Sequence, residues 1–373
     1  VKEQAISAKR HFIPGLLGLR GIAILLVILD HLLGKYSPNG LAGNVASFMH
    51  LGGIGVELFF VLSGFLITGN LLREREAKGQ VALGTFYAGR AYRIFPAFYT
   101  YLAVVALVAV VGWSSVDGYE IAASGLFVWN YAPGTDTGWL DHTWSLSVEE
   151  QFYLLWPLLL ILLKPKKALW ASIAILLLWP AVRVVSYFLS SADDRDGLWQ
   201  MFHIRADSLI IGCLLALVSY LYPSVLETIA ALVTRFRLPI VAVVALVVSA
   251  YVSRHIGPWK LSVGYSVENV ALAVLVLAAM NPRNAVMRLA TWRPFMLVGL
   301  ISYSLYLWQQ MFLVADLPRQ LSWLSLPFVD VLCAFALATA SYLFIEKPFL
   351  ALKKRSDLKR DNREPVRRPA TKP

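Results

Sequence analysis

Charge is scarce in this chain. Lys, Arg, Asp and Glu make up 15% of its 373 residues, against roughly 25% in an ordinary soluble domain. Cysteine is nearly absent as well. Cys213 and Cys333 both fall inside apolar runs, so they read as free core thiols, and neither a disulfide framework nor a metal site follows from them. The short alternating segments that build a transmembrane β-barrel are missing, and so are internal repeats. No long polar stretch interrupts the apolar runs, so no appended soluble catalytic domain is expected. The first apolar run is full length and has no small-residue cleavage site after it, so no cleavable leader is expected either.

Apolar residues are what the chain has in abundance, at 58%. Several runs reach the length that crosses a bilayer, which makes this an all-α polytopic membrane protein. The spans read as 14–33, 51–72, 94–112, 147–163, 168–189, 204–221, 238–252, 265–281, 296–314 and 326–346, about ten transmembrane helices. The net charge of +11 is not that of a nucleic-acid binder, because its basic residues occupy alternate loops. Lys2, Lys9 and Arg10 come first, then Arg73, Arg75, Lys78, Arg90 and Arg93, then Lys164, Lys166 and Lys167. Arg235 and Arg237, then Arg283, Arg288 and Arg293, and finally the tail continue the alternation. Basic loops stay on the cytoplasmic side, so both termini are expected there, in a multi-pass membrane protein.

The apolar segment 119–132 is the one ambiguity. A crossing there would put Lys164, Lys166 and Lys167 outside, against the charge rule, so a re-entrant or surface excursion is expected. Eleven spans are the alternative. The domain organisation is then a cytoplasmic arm over 1–13, a membrane domain over 14–350, and a basic, disordered cytoplasmic tail over 351–373, able to touch anionic headgroups.

Candidate chemistry begins in the first span, LLGLRGIAILLVILDHLL, which carries Arg20, Asp30 and His31. Ionisable groups in a spanning helix are costly and mark functional sites by default. Eleven residues of helix place His31 about 16 Å from Arg20 and within about 20° of the same face. The charge rule puts Arg20 near the cytoplasm and His31 near the outer surface. Arg90 and Arg93, three residues apart, present two guanidinium forks on one face at the Arg20 end. Such forks suit phosphate, which a coenzyme carries and a free sugar does not. Glu149 and Glu150 open the fourth span. Glu149 lies one turn from Tyr153 and is expected at the depth of His31, where a carboxylate can orient an imidazole. Glu57, Ser63, Arg205, Tyr303 and Gln309 are further candidates within apolar runs, beside Asp30, Glu150 and Tyr153.

The set formed by Arg20 and His31 with FFVLSGFLIT, RAYRIFPAFY, WSLSVEEQFYLLWP and SYSLYLW resembles the acyltransferase-3 family of integral membrane acyltransferases, over about residues 14–350. That resemblance implies transfer of an acyl group, commonly acetyl from acetyl-CoA, to a hydroxyl. The implied acceptor is a glycan, a lipid-linked sugar or a macrolide-like molecule. It also implies roles for Arg20 and His31 as a signature pair, for Arg90 with Arg93 as the paired-arginine motif, and for Glu149 as the acid of the SxxE-like segment. Acyl-CoA is expected as donor substrate, with no tightly bound cofactor and no metal. The family's usual histidine after SYSLYLW is Gln309 here, leaving that side chain to hydrogen-bond acceptor or coenzyme. Some members carry an esterase-like domain, which is not expected in this chain. The rival reading is a transporter or flippase of an envelope precursor, since embedded charges are equally common there.

Overall fold

The computed structural model describes residues 13–361 apart from 133–137, 193, 257, 316, 318–322 and 325. Residues 1–12 of the expected arm over 1–13 and the last twelve residues of the expected tail therefore lie outside the described residues. In chain order the helices are α1 (Pro14–Tyr36), α2 (Leu41–Met49), α3 (Leu51–Lys78), α4 (Leu83–Val110), α5 (Gly118–Gly125), α6 (Thr143–Leu189) and α7 (Phe202–Leu221). They continue as α8 (Pro223–Arg235), α9 (Leu238–His255), α10 (Tyr265–Met280), α11 (Ala285–Ala290), α12 (Arg293–Leu313), α13 (Val329–Ser341) and α14 (Lys347–Asp361). No strand occurs among the described residues.

Among the described residues, nine helical stretches, some joining neighbouring helices, are long and apolar enough to cross a membrane. One of them, α6, has 47 residues and is not straight. Lys164 has φ 60° and ψ 161°, outside the helical region. Trp144 near its start lies 5.7 Å from the Arg205 guanidinium, and Arg183 near its end donates to Asp207 at 2.6 Å. A straight helix would hold residues 144 and 183 about 58 Å apart, so α6 folds back at Lys164 to the same end of α7. It is two apolar passes, and the expected ten follow. Backbone groups in hydrocarbon need partners inside the chain, which confines a reversal of this kind to the end of a pass.

The segment 119–132 does not span. Its helix α5 has eight residues, started by a reciprocal Asp117–Glu120 capping box, and is followed by a single 3-10 turn at Trp129–Tyr131. The tail expectation needs correcting. Helix continues through α14 to Asp361, and a Cβ on Gly89 would lie 2.5 Å from Lys353 Nζ. The first part of the expected disordered tail is thus a helix against α4, beside Arg90.

Two pairs of helices approach at glycine. A Cβ on Gly64 of α3 would meet Leu209 O at 1.9 Å, and one on Gly212 of α7 would meet Val61 O at 2.1 Å. The same reciprocal contact joins α1 to α12, through Gly21 to Phe295 O at 1.9 Å and Gly299 to Leu17 O at 2.1 Å. Without hydrophobic driving force between helices in lipid, such close backbone contact is a main source of association. It also brings short polar side chains on facing helices within bonding distance. The outward faces carry exposed Leu107, Leu162, Leu177, Phe188 and Leu332, as a lipid-facing surface should.

Candidate active site

The Arg20–His31 stripe of α1 faces α12. Arg20 Nε donates to Ser302 Oγ at 3.3 Å, and His31 Nδ1 lies 2.7 Å from Gln309 Oε1. Both partners sit on one helix, two turns apart, because Gly21 and Gly299 lock α1 and α12 side by side. Gln309 is fully buried, and its NH2 group is directed to Tyr306 O at 3.5 Å and Gln310 Oε1 at 3.3 Å. Its oxygen is therefore the atom that meets the imidazole. The proton of neutral His31 must then sit on Nδ1, leaving the Nε2 lone pair as the basic site.

At the Arg20 end, a cavity is lined by Arg20, Arg90 and Arg93 together with Ser63, Glu149, Tyr153, Ser302, Tyr303 and Tyr306. Arg90 places its guanidinium 4.8 Å from the Tyr153 ring centroid, and Arg20 lies 5.8 Å from that of Phe59. Tyr303 donates to Ile94 O at 2.9 Å, tying α12 to α4 beside the arginines. Tyr306 and Ser145, whose hydroxyls are 2.6 Å apart, also line the cavity. His31 is not part of the lining. It stands about one turn beyond Tyr306, at the level of Gln309.

Glu149 departs from its expected place. Its carboxylate accepts a hydrogen bond from Ser63 and faces Arg20 and Arg90 electrostatically, so it belongs to the arginine end. His31 is oriented by an amide instead. The reason is depth: α6 begins at Thr143, and six residues of helix carry Glu149 about 9 Å inward from that end. The other acids are also committed elsewhere. Asp30 packs against the start of α3, where a Cβ on Gly52 would lie 2.8 Å from its Oδ2. Glu57 pairs with Arg205 at 3.0 Å, both buried, with the Arg205 guanidinium 4.3 Å from the Tyr265 ring centroid. Glu150 has an unpartnered buried Oε1 and feels the Arg90 charge.

The Glu57–Arg205 pair fastens α3 to α7 rather than serving His31. Removing one partner leaves a buried charge uncompensated, so Glu57→Ala should cost about 3–5 kcal/mol. Thermal unfolding in detergent measures this loss, and an unchanged melting temperature would show the pair to be dispensable.

Three polar residues of this region were not among the candidates. Ser302 and Tyr306 lie at i and i+4 on the inner face of SYSLYLW, a spacing readable in retrospect. Glu346, buried at the end of the π-helical turn Tyr342–Glu346, accepts from Ser304 at 3.1 Å and faces Arg93 and Arg20. Its only signal was an acid closing an apolar run. Among the described residues no group of three or more His, Cys, Asp or Glu is arranged to hold a metal ion.

This architecture, with a basic cavity at one end of α1 and an imidazole at the other, meets a direct match in sequence. A family model described as an acyltransferase domain covers residues 13–346. The chain belongs to the acyltransferase-3 family. A putative peptidoglycan O-acetyltransferase, YrhL of Bacillus subtilis, is 31% identical over 366 residues, covering 90% of this chain and 55% of the relative. The peptidoglycan O-acetyltransferase OatA of Listeria monocytogenes is 27% identical over 365 residues, covering 91% of this chain and 56% of its own. The O-acetyltransferase OatA of Staphylococcus aureus is 25% identical over 364 residues, covering 90% and 57%. The chain thus spans about half the length of the curated relatives it matches. No solved structure matches it.

Proposed function

We propose that this protein transfers an acyl group, in the simplest case acetyl, from acyl-coenzyme A to a hydroxyl of a cell-envelope glycan. The observation that carries the proposal is the grouping of Arg20, Arg90 and Arg93 around one cavity, at the end of α1 opposite His31. Three guanidinium groups in one pocket suit the phosphates of a coenzyme. Lys353 beside Gly89 adds basic charge to the same end. The positive-inside bias supports reading this end as cytoplasmic, in a bacterial plasma membrane. The relatives' names, peptidoglycan O-acetyltransferases, support a glycan as the acceptor class.

In this mechanism the donor's phosphates dock on Arg90 and Arg93, with Arg20 deeper in the cavity. The thin pantetheine arm runs along the wall formed by Tyr303 and Tyr306 toward His31. His31 Nε2 takes the proton of the acceptor hydroxyl as its oxygen attacks the thioester carbon, and Gln309 holds the imidazole in the tautomer this requires. Glu149, held by Ser63, offsets part of the arginine charge inside a cavity that would otherwise be strongly cationic. The alternative chemistry at the same residue, a transient acyl group on His31, is separated by trapping. Radiolabelled acyl retained on acceptor-free protein and lost in His31→Ala identifies a carrier.

The reaction is tested with purified protein in detergent, acetyl-CoA and peptidoglycan fragments. The expected result is free thiol released in step with acetyl mass gained by the acceptor. Absence of thiol release with such acceptors, together with uptake of an envelope precursor in proteoliposomes, would replace the reading by transport.

A further inference from the structure

Two nitrogen-bearing rings next to the His31 end have no hydrogen-bond partner. Neither ring nitrogen of His142 is bonded, nor is the indole Nε1 of Trp308, and both residues are only 5% exposed. Leaving such a group open in a buried site is costly, which calls for an explanation at each site. The two rings pack edge-on against one side chain, Tyr101, with centroids 5.4 Å away in each case. Tyr101 is itself satisfied, donating to Trp139 O at 2.6 Å.

Their surroundings tie both to the transfer path. The His142 ring meets the Tyr306 ring at 5.4 Å, and Tyr306 lines the arginine cavity. His142 also lies within electrostatic reach of His31. Trp308 immediately precedes Gln309, which holds His31. His142 is thus one side chain away from the cavity, and Trp308 one residue away from the side chain that holds His31. A neutral imidazole always carries one N–H, and an indole nitrogen is a donor only.

We propose that His142 and Trp308 form the oxyanion site for the transferred acyl group, each donating a hydrogen bond to the thioester carbonyl oxygen. This rests on the acyl-transfer reading above. As the acceptor oxygen bonds to the acyl carbon, its proton passes to His31 and the carbonyl π electrons move onto the carbonyl oxygen, where the two N–H groups hold them. Collapse reforms the carbonyl, breaks the carbon–sulfur bond and sends the proton to the departing thiolate. Fixed donors of this kind act on charge that appears only in the transition state, so they raise turnover more than they tighten donor binding.

His142→Phe and Trp308→Phe keep an aromatic ring against Tyr101 and delete the N–H. Each is expected to lower turnover by about 10²-fold, with the acetyl-CoA KM changed by less than about threefold. A folded His142→Phe protein with turnover within about twofold of wild type overturns the proposal, assigns the ring to packing and leaves the acyl-transfer reading standing. Wild-type protein that releases no thiol from acetyl-CoA removes that reading and this proposal together. Should the phenylalanine variants not fold, His142→Gln, which retains an N–H donor, is compared with His142→Leu. At least about tenfold greater turnover for glutamine supports the oxyanion site, and equal turnover overturns it.

Discussion

Alanine in place of His31 should lower acyl transfer by about 10²–10⁴-fold, the range a positioned general base contributes, while acetyl-CoA still binds. The separation of effects follows from the geometry. His31 lies outside the cavity lined by Arg20, Arg90 and Arg93, so its loss leaves the proposed phosphate contacts untouched. Gln309→Leu should fall between wild type and His31→Ala. It keeps the imidazole but removes the oxygen 2.7 Å from Nδ1, so the ring can turn and either tautomer can form. Thiol release with acceptor mass as a second readout measures both variants. Wild-type rates in His31→Ala would remove His31 from the chemistry.

The second large effect is expected at the other end. Arg90→Gln combined with Arg93→Gln keeps two long polar side chains but deletes both charges from the cavity. A hydrogen bond to a charged group contributes about 1.5–3 kcal/mol, so losing two should weaken acetyl-CoA binding by about 10²–10⁴-fold. A thioester of pantetheine without the nucleotide phosphates provides the control. Its turnover should be nearly the same in the double variant as in wild type, since the arginines have no phosphate to hold. Equal acetyl-CoA affinity in a folded double variant would return both residues to the role of membrane anchors.

Much of the architecture was legible along the chain because a bilayer imposes simple rules. A pass needs roughly twenty apolar residues, and basic loops alternate between sides. The spans expected over 147–163 and 168–189 are the two arms of α6, and the charge pattern around Lys164, Lys166 and Lys167 marks their junction, where Lys164 breaks the helix. The same pattern argued against a crossing at 119–132, where the structure has an eight-residue helix. The tail was misjudged at its start because composition alone cannot register a docking surface. Lys353 is polar by type and ordered by its place against Gly89.

Within the site, sequence determined whatever depends on one helix. Eleven residues of α1 fix the distance and common face of Arg20 and His31, and three residues of α4 do the same for Arg90 and Arg93. Helical periodicity is a local property, and no neighbour is needed to read it. Which side chains meet across helices was decided only by tertiary packing. Ångström-scale choices of depth gave Ser63 to Glu149, and those set by the Gly64–Gly212 and Gly21–Gly299 contacts gave Glu57 to Arg205 and Gln309 to His31. A shift of one turn is only about 5.4 Å along an axis, yet it exchanges a carboxylate for an amide beside the imidazole. No rule of spacing within α6 or α12 could settle that choice, because it belongs to the register between them.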